Sequence, residues 1–197
     1  MLIVVSNPTA LTNEAQLINA LFEEGLQLFH LRKPAYSKAE MKYLLGEVHP
    51  RHAGKIVLHT HHELATMFGV SRLHYPEQKR NNSNSDEWIQ LNKRGSILST
   101  SIHDIKEVEV LGSCFAYTFF GPVFDSISKQ GYKTSITNNF EIKNNTVKTI
   151  AIGGIDKTRI EVVRKMGFAG IAALGTIWQS IHPIDQFKQL QKAWSDR

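Results

Sequence analysis

The chain has 197 residues, 42% of them hydrophobic, and a formal net charge of +5. This apolar share supports a packed core and excludes wholesale disorder, and the length suits a single domain spanning residues 1–197. Because the Lys and Arg residues are scattered, the charge argues against nucleic acid as a partner and is better explained by anionic small ligands.

Three features of the sequence bear on where in the cell the protein is found. The segment MLIVVSNPT has no basic region, so it predicts a strand and not a signal peptide. No stretch approaches the ~18 apolar residues of a membrane span. Cys114 is the one cysteine, so no internal disulfide can form. A cytoplasmic protein with no membrane partner is expected.

Eight short apolar runs, each ending in polar residues, alternate with segments of helical spacing. The segment 12–25 opens with a Thr or Asn cap, and Ser37 with Glu40 three residues later predicts a capping box. Asp156 and Gly167 mark the start and stop of another helix. The apolar runs cover residues 2–6, 26–31, 55–59, 71–75, 96–101, 115–120, 147–154 and 169–174.

Strands that alternate with helices predict an α/β fold with a parallel sheet. Eight such units favour closure into a compact, single-domain (β/α)8 TIM barrel. The alternative is an open doubly wound sheet. It is disfavoured because each strand ends in polar residues and no Gly-x-Gly-x-x-Gly motif follows the first strand. The polar segment 79–87 predicts a mobile loop.

In such a barrel the residues just after the strands build the active site. The sixth run is followed by GPVFDSISKQG, where alternate hydroxyls and a lysine suggest a clamp for phosphate. The seventh and eighth runs end in AIGGI and ALGTI, whose glycines let backbone N–H groups approach a ligand. The candidate ligand-binding residues are Arg32, His59, Ser101, Ser126, Ser128, Lys129, Gly153, Gly154, Leu174 and Gly175.

Six segments carry a resemblance. They are FHLRK, ELATMFGVSRLHYPEQ, STSIHD, YTFFGPVFDSISKQG, AIGGI and GFAGIAALGTIW, in that order. Together they resemble the thiamine-phosphate synthase/TenI superfamily over nearly the whole chain. The resemblance implies a (β/α)8 barrel in vitamin B1 biosynthesis, with a phosphorylated thiazole and a pyrimidine pyrophosphate as partners. It also implies that the ends of strands 7 and 8 hold the thiazole phosphate, while the strand 6 loop and Arg32 face the pyrophosphate.

The chain departs from the synthase pattern at the metal site. The two magnesium-binding aspartates of the pattern fall on Thr60 and Lys79, and a lysine of the pattern falls on Pro34. Because Mg²⁺ needs carboxylate oxygens, no cofactor is expected. Magnesium is expected only if synthase activity survives around Glu63 or Glu77.

The tautomerase branch of the superfamily lacks those carboxylates, keeps the phosphate site and needs no metal. It retains a histidine after strand 5, here His103, which can exchange a proton at neutral pH. The branch also resembles this chain at His30, the second catalytic candidate. A thiazole tautomerase is therefore the favoured activity.

Other functions are also compatible with the sequence. The chain could be a divergent thiamine-phosphate synthase or a ligand-binding regulator that has lost catalysis. A zinc site built from His59, His61 and His74 is a weaker alternative, because the spacing is not specific. Apolar helix faces hint at a homodimer.

Overall fold

Eight parallel strands close into a barrel, in the order in which they occur in the sequence. The structure, a computed structural model, describes residues 1–124, 140–142 and 147–196. The strands β1 to β8 are Leu2–Val5, Leu28–Leu31, Ile56–Leu58, Arg72–Tyr75, Ile97–Ile102, Phe115–Phe120, Lys148–Ile152 and Gly170–Ala173. The predicted (β/α)8 barrel is confirmed, and the ends of every strand lie within two residues of the ends of a predicted apolar run.

Helices surround the barrel. In the described ranges, the α-helices α1 to α8 are Glu14–Glu23, Lys38–Glu47, Ala65–Phe68, Glu77–Asn81, Ser85–Lys93, Ile160–Lys165, Gly175–Trp178 and Pro183–Ser195. Short 3-10 segments lie at Pro50–Lys55, His62–Leu64, Ile105–Val110, Gly112–Cys114 and Lys157–Arg159. None of the helices in these ranges combines the length and the apolar composition required to cross a bilayer.

Two layers of core follow from the alternation of side chains along each strand. On β2, Phe29 and Leu31 face outward and pack with the helices, whereas Leu28 and His30 face inward. The barrel interior has an apolar half and a polar half. The inward positions of β1, β7 and β8 are apolar, while those of β2 to β6 include many polar groups. The inward polar residues are His30, His59, His74, Ser99, Ser101 and Tyr117.

The helix signals were mostly correct. The Ser37 hydroxyl accepts from the Glu40 amide and the Glu40 carboxylate accepts from the Ser37 amide, so the capping box is confirmed. The cap predicted for α1 is wrong in detail, because Asn13 has a φ of 56° and its side chain makes no cap hydrogen bond.

The loop predicted at 79–87 is also wrong. Most of that segment is helical, since α4 and α5 meet there with a short connection. The Asn84 side chain caps α5 by accepting from the Asp86 amide. The indole of Trp88 then packs on the core with its ring centroid 5.0 Å from that of Phe115. A cap and one aromatic anchor outweigh the polar composition of the segment.

A buried ion pair lies just beyond β2. Lys33 is fully buried, and its Nζ lies 2.6 Å from the carboxylate of Glu14, which is 4% exposed. Lys33 also donates to the Thr9 carbonyl at 2.7 Å. Burial raises the pKa of Glu14 and lowers the pKa of Lys33, and the contact between the two groups opposes both shifts. This pair ties α1 to the end of β2.

Candidate functional site

The carboxyl ends of the strands bring most of the predicted site residues to one end of the barrel. Neighbouring strands align His30 with Val57 and His74 with Ser99, so side chains far apart in sequence meet there. The predicted clamp residues Ser126, Ser128 and Lys129 lie outside the described residues.

Three imidazoles form the centre of the polar half of the interior, and we call His30, His59 and His74 the imidazole cluster. His30 Nδ1 lies 2.9 Å from His59 Nε2. The rings of His59 and His74 stack with centroids 4.1 Å apart and an interplanar angle of 23°. All three side chains are buried.

Hydroxyl groups hold the outer sides of the imidazole cluster. The hydroxyl of Tyr117 lies 2.6 Å from His30 Nε2. Ser99 Oγ and Ser101 Oγ each lie 3.0 Å from a ring nitrogen of His74. Each neutral imidazole has one N–H donor and one acceptor nitrogen, so these hydroxyls constrain which nitrogen carries the proton.

Burial keeps the imidazole cluster neutral. It lowers the pKa of His74 to about 3 and holds the pKa values of His30 and His59 well below the usual 6.5. The positive charge of Arg32 adds to this effect on His59 and His74. Burial also raises the pKa of Tyr117 to about 12, so this phenol stays protonated. At neutral pH the cluster offers lone pairs, not positive charge.

The expected grouping of His59 and His61 with His74 is wrong in one member. His61 has a φ of 52°, which turns it out of line with the strand. Its Nε2 lies 2.9 Å from the Tyr36 carbonyl and its Nδ1 lies 3.7 Å from Glu63. His30 from the adjacent strand takes its place, because the strand order puts β2 and β4 on either side of β3.

Arg32 lies above the imidazole cluster at the mouth of the barrel. Its backbone is fixed by Ser6, whose hydroxyl accepts from the Arg32 amide at 2.8 Å and donates to the Arg32 carbonyl at 3.0 Å. The side chain is exposed, and within the described part of the chain no carboxylate forms an ion pair with it. An exposed cation at this position favours an anionic ligand.

The ends of β7 and β8 form an open backbone turn. Gly153 and Gly154 have φ values of 98° and 64°, a region that favours glycine. A Cβ on Gly153 would lie only 2.7 Å from the Pro122 Cα. Among the described residues, the amides of Gly153, Gly154 and Gly175 donate no backbone hydrogen bond, while the carbonyl of Leu174 accepts from α7. These N–H groups are available to an anion.

His103 lies directly after β5 and is 63% exposed. Its Nδ1 pairs with the carboxylate of Glu77, the first residue of α4. Partial burial alone would raise the pKa of Glu77, but its hydrogen bonds to His103 and Glu107 outweigh burial and lower that pKa. An ionised carboxylate on Nδ1 orients the ring and leaves Nε2 free for a ligand.

The residues at the two expected magnesium positions do not fit the ion. Thr60 has no carboxylate, and the Lys79 ammonium lies 4.8 Å from the centroid of the Tyr75 ring and 3.5 Å from His62 Nδ1. A cation in place of a ligand repels Mg²⁺. The nearby carboxylates are also engaged, since Glu63 pairs with Lys38 at 3.5 Å and Glu77 pairs with His103.

Sequence reasoning placed Ser99 at the end of strand 5 but missed the supporting residue Tyr117. Both occupy inward positions at the same level as His74, because β5 pairs with β4 and β6 in that register. The alternation of FAYTFF, with Tyr117 two residues before Phe119, was the signal that could have placed the phenol inside the barrel.

Comparisons with known proteins agree with this architecture. The chain is 31% identical over 98 residues to the thiamine-phosphate synthase of Anoxybacillus flavithermus (strain DSM 21510 / WK1). That match spans 47% of this chain and 45% of the relative, so the chain covers under half of the length of this curated protein. A crystal structure of thiamine phosphate pyrophosphorylase from Bacteroides thetaiotaomicron matches with a TM-score of 0.75 and 26% identity, over 98% of this chain and 96% of that one.

A second solved structure shows the fold. The thiamine phosphate pyrophosphorylase of Pyrococcus furiosus has a TM-score of 0.74 at 15% identity, over 98% of this chain and 94% of that one. The model of the family described as thiamine monophosphate synthase matches residues 1–177. The chain therefore belongs to the thiamine monophosphate synthase/TenI family.

Proposed function

We propose that this protein is a thiamine-pathway enzyme that binds a thiazole phosphate and moves a proton on it, as a thiazole tautomerase. The observation that carries the proposal is an exposed imidazole, His103, held by a carboxylate at the same end of the barrel as an open amide turn. Proton transfer of this kind changes no oxidation state and needs no magnesium, for which the described residues do not fit.

Phosphate binding is assigned to the turn after β7 and β8. Within the described ranges the amides of Gly153, Gly154 and Gly175 donate to no backbone carbonyl, which suits the oxygens of a phosphate monoester. Leu174 closes the turn with its carbonyl directed to α7. Arg32 adds an exposed positive charge at the mouth, which favours entry of a dianion.

Proton transfer is assigned to His103. Its free Nε2 removes a proton from a ring carbon of the substrate and returns it at another position, so the ring becomes aromatic with no net loss of protons. Glu77 fixes the tautomer and stabilises the imidazolium that forms in between.

The buried residues are assigned a supporting role. His30 is completely buried and bonded at both ring nitrogens, which suits a positioning residue better than direct contact with substrate. His59 and Ser101 lie nearer the mouth, where they line the space for the thiazole ring.

Replacing Gly153 by Ala is expected to weaken binding of the thiazole phosphate more than about tenfold, or ~1.4 kcal/mol. The added Cβ would clash with Pro122 and strain a left-handed backbone, which also lowers stability by roughly 1–3 kcal/mol. Calorimetric titration with the thiazole phosphate measures the first effect. Gly46→Ala is the matched control, because nothing lies within 4 Å of its added Cβ. Equal affinity in wild type and Gly153→Ala would place the phosphate elsewhere.

Replacing His103 by Ala is expected to lower kcat for aromatisation roughly 100-fold while the Kd for thiazole phosphate changes little. The reason is that the imidazole contacts the migrating proton, whereas the phosphate is held on another strand. Aromatisation is followed by absorbance in magnesium-free buffer. Lys106→Ala, an exposed cation in the following turn, serves as the control. An unchanged kcat would remove His103 from the mechanism.

A second candidate is a divergent thiamine-phosphate synthase. It is favoured by the near full-length match to the Bacteroides thetaiotaomicron pyrophosphorylase. Release of pyrophosphate from the pyrimidine pyrophosphate and thiazole phosphate distinguishes the two activities. Magnesium-dependent release would favour the synthase. Tight thiazole phosphate binding with neither activity would favour the regulator.

A further inference from the structure

We propose that the imidazole cluster is a binding site for a divalent transition-metal ion, Zn²⁺ foremost. His30, His59 and His74 each offer one ring nitrogen, and these three nitrogens lie within 4.8 Å of one another. They come from three adjacent strands, so the barrel itself fixes their spacing. Three histidines form a recognised donor set for Zn²⁺, with one coordination position left for another ligand.

The spacing of the nitrogens is close to what Zn²⁺ requires. Zinc–nitrogen bonds of about 2.0–2.1 Å in a tetrahedral arrangement separate the nitrogens by roughly 3.3 Å. His30 Nδ1 and His59 Nε2 are slightly closer than this, at 2.9 Å, and the stacked ring of His74 lies beside His59. The three ligand nitrogens lie within 4.8 Å of one another, so binding one ion requires the widest pair to approach by up to about 1.5 Å.

The hydroxyl groups around the imidazole cluster can hold metal-bound rings in place. With His30 Nδ1 on the metal, His30 Nε2–H donates to the Tyr117 oxygen 2.6 Å away. With one nitrogen of His74 on the metal, the other donates to Ser99 or Ser101 at 3.0 Å. Partners of this kind orient metal-bound histidines and fix their tautomers.

The chemistry of the donors selects the class of metal. In the described ranges, this is the one group of three or more His, Cys, Asp or Glu side chains whose ligand atoms meet, and it contains no carboxylate. Neutral imidazoles favour zinc, cobalt, nickel or copper over magnesium or calcium.

The fourth ligand is expected to be an anion on the side of the barrel mouth. His59 retains 7% exposure, whereas His30 and His74 retain 0% and 1%, so the cluster is most open at His59. The positive charge of Arg32 bears on this side. A dication next to Arg32 needs a negative partner, such as hydroxide or the carboxylate of a small molecule.

Metal titration of the whole chain tests the proposal. The protein is stripped with EDTA, dialysed, and titrated with Zn²⁺ in equilibrium dialysis with elemental analysis. Co²⁺ is used in parallel, since its visible absorption reports coordination by nitrogen in a tetrahedral site. His74→Gln and His59→Asn each remove one ligand, and His61→Gln is the matched control from the adjacent loop.

The expected result is one Zn²⁺ per chain in wild type and His61→Gln, with affinity reduced roughly 100-fold in His74→Gln and His59→Asn. Circular dichroism confirms that each variant is folded. If both ligand variants unfold, the cobalt spectrum of wild type decides, since intense visible bands support the site and their absence overturns it. Binding below one equivalent, or equal affinity in a folded His74→Gln, would also overturn the proposal.

Discussion

Lowering the pH from 6.5 to 4.5 is expected to remove at least about 2 kcal/mol from the free energy of unfolding of the metal-free protein. The imidazole cluster is the cause. In the folded state the pKa of His74 is about 3, and those of His30 and His59 are well below 6.5. In the unfolded chain all three regain the usual value of about 6.5.

The sign follows from proton uptake. Below pH 6.5 the unfolded chain binds protons that the folded protein does not, so acid favours unfolding. The stabilisation is fully present above pH 6.5 and is lost as the pH falls towards the folded pKa values. Between its two pKa values His74 contributes about 1.4 kcal/mol per pH unit, and His30 and His59 add to the loss in the same direction. Because domains are typically stable by only about 5–15 kcal/mol, acid should remove a large share of the total stability.

Urea unfolding at pH 7.0, 6.0 and 5.0 in the presence of EDTA measures the effect. The His74→Gln variant removes one of the three titrating rings, so its stability should fall with pH by about 1.4 kcal/mol per unit less than that of wild type. A free energy of unfolding that is the same at pH 7.0 and 5.0 would show that the three rings are accessible to protons in the folded state.

Replacing Lys33 by Met is expected to destabilise the protein by about 3–5 kcal/mol. The substitution leaves the Glu14 carboxylate, 4% exposed, without the ammonium that compensates its burial. It also removes one of the two donors to the Thr9 carbonyl, which keeps only the Asn7 side-chain amide at 3.2 Å. Chemical denaturation at pH 7.5 measures the loss.

A double variant separates the effect of losing the ion pair from the effect of leaving one charge buried without a partner. Lys33→Met with Glu14→Leu should recover most of the stability lost in Lys33→Met, because no unpaired charge remains buried. Lys38→Met is the matched control, since Lys38 is 59% exposed and its pair with Glu63 should contribute less than about 1 kcal/mol. A loss below 1 kcal/mol in Lys33→Met would mean that water reaches Glu14.

The strands were predictable because each is an apolar run bounded by polar residues, and eight such runs admit few arrangements. The glycine turns after β7 and β8 were predictable because glycine follows directly on the apolar run in AIGGI and ALGTI. The helices at 77–93 were not, since their anchor is the contact between Trp88 and Phe115, 27 residues apart in sequence. Composition over a short window contains no information about that contact.

The imidazole cluster was predictable only in part. Histidines at 59 and 74 were expected to meet because their strands are neighbours. The exchange of His61 for His30 depends on the positive φ of His61, which is not visible in the spacing of HTHH. The pairing of His103 with Glu77 was likewise missed, because Glu77 lies on the earlier helix α4.

The division of the barrel interior has a consequence for the fidelity of folding. Parallel strands can pair out of register, and a shift of one residue turns every side chain to the opposite face. A shift of this kind in β3 would move His59 into the layer of Leu31 and Leu58, where its ring nitrogens would find no hydroxyl or imidazole. An apolar interior would tolerate that error far better. The polar half of the barrel therefore favours the native register, because misaligned strands would bury polar groups without hydrogen-bond partners.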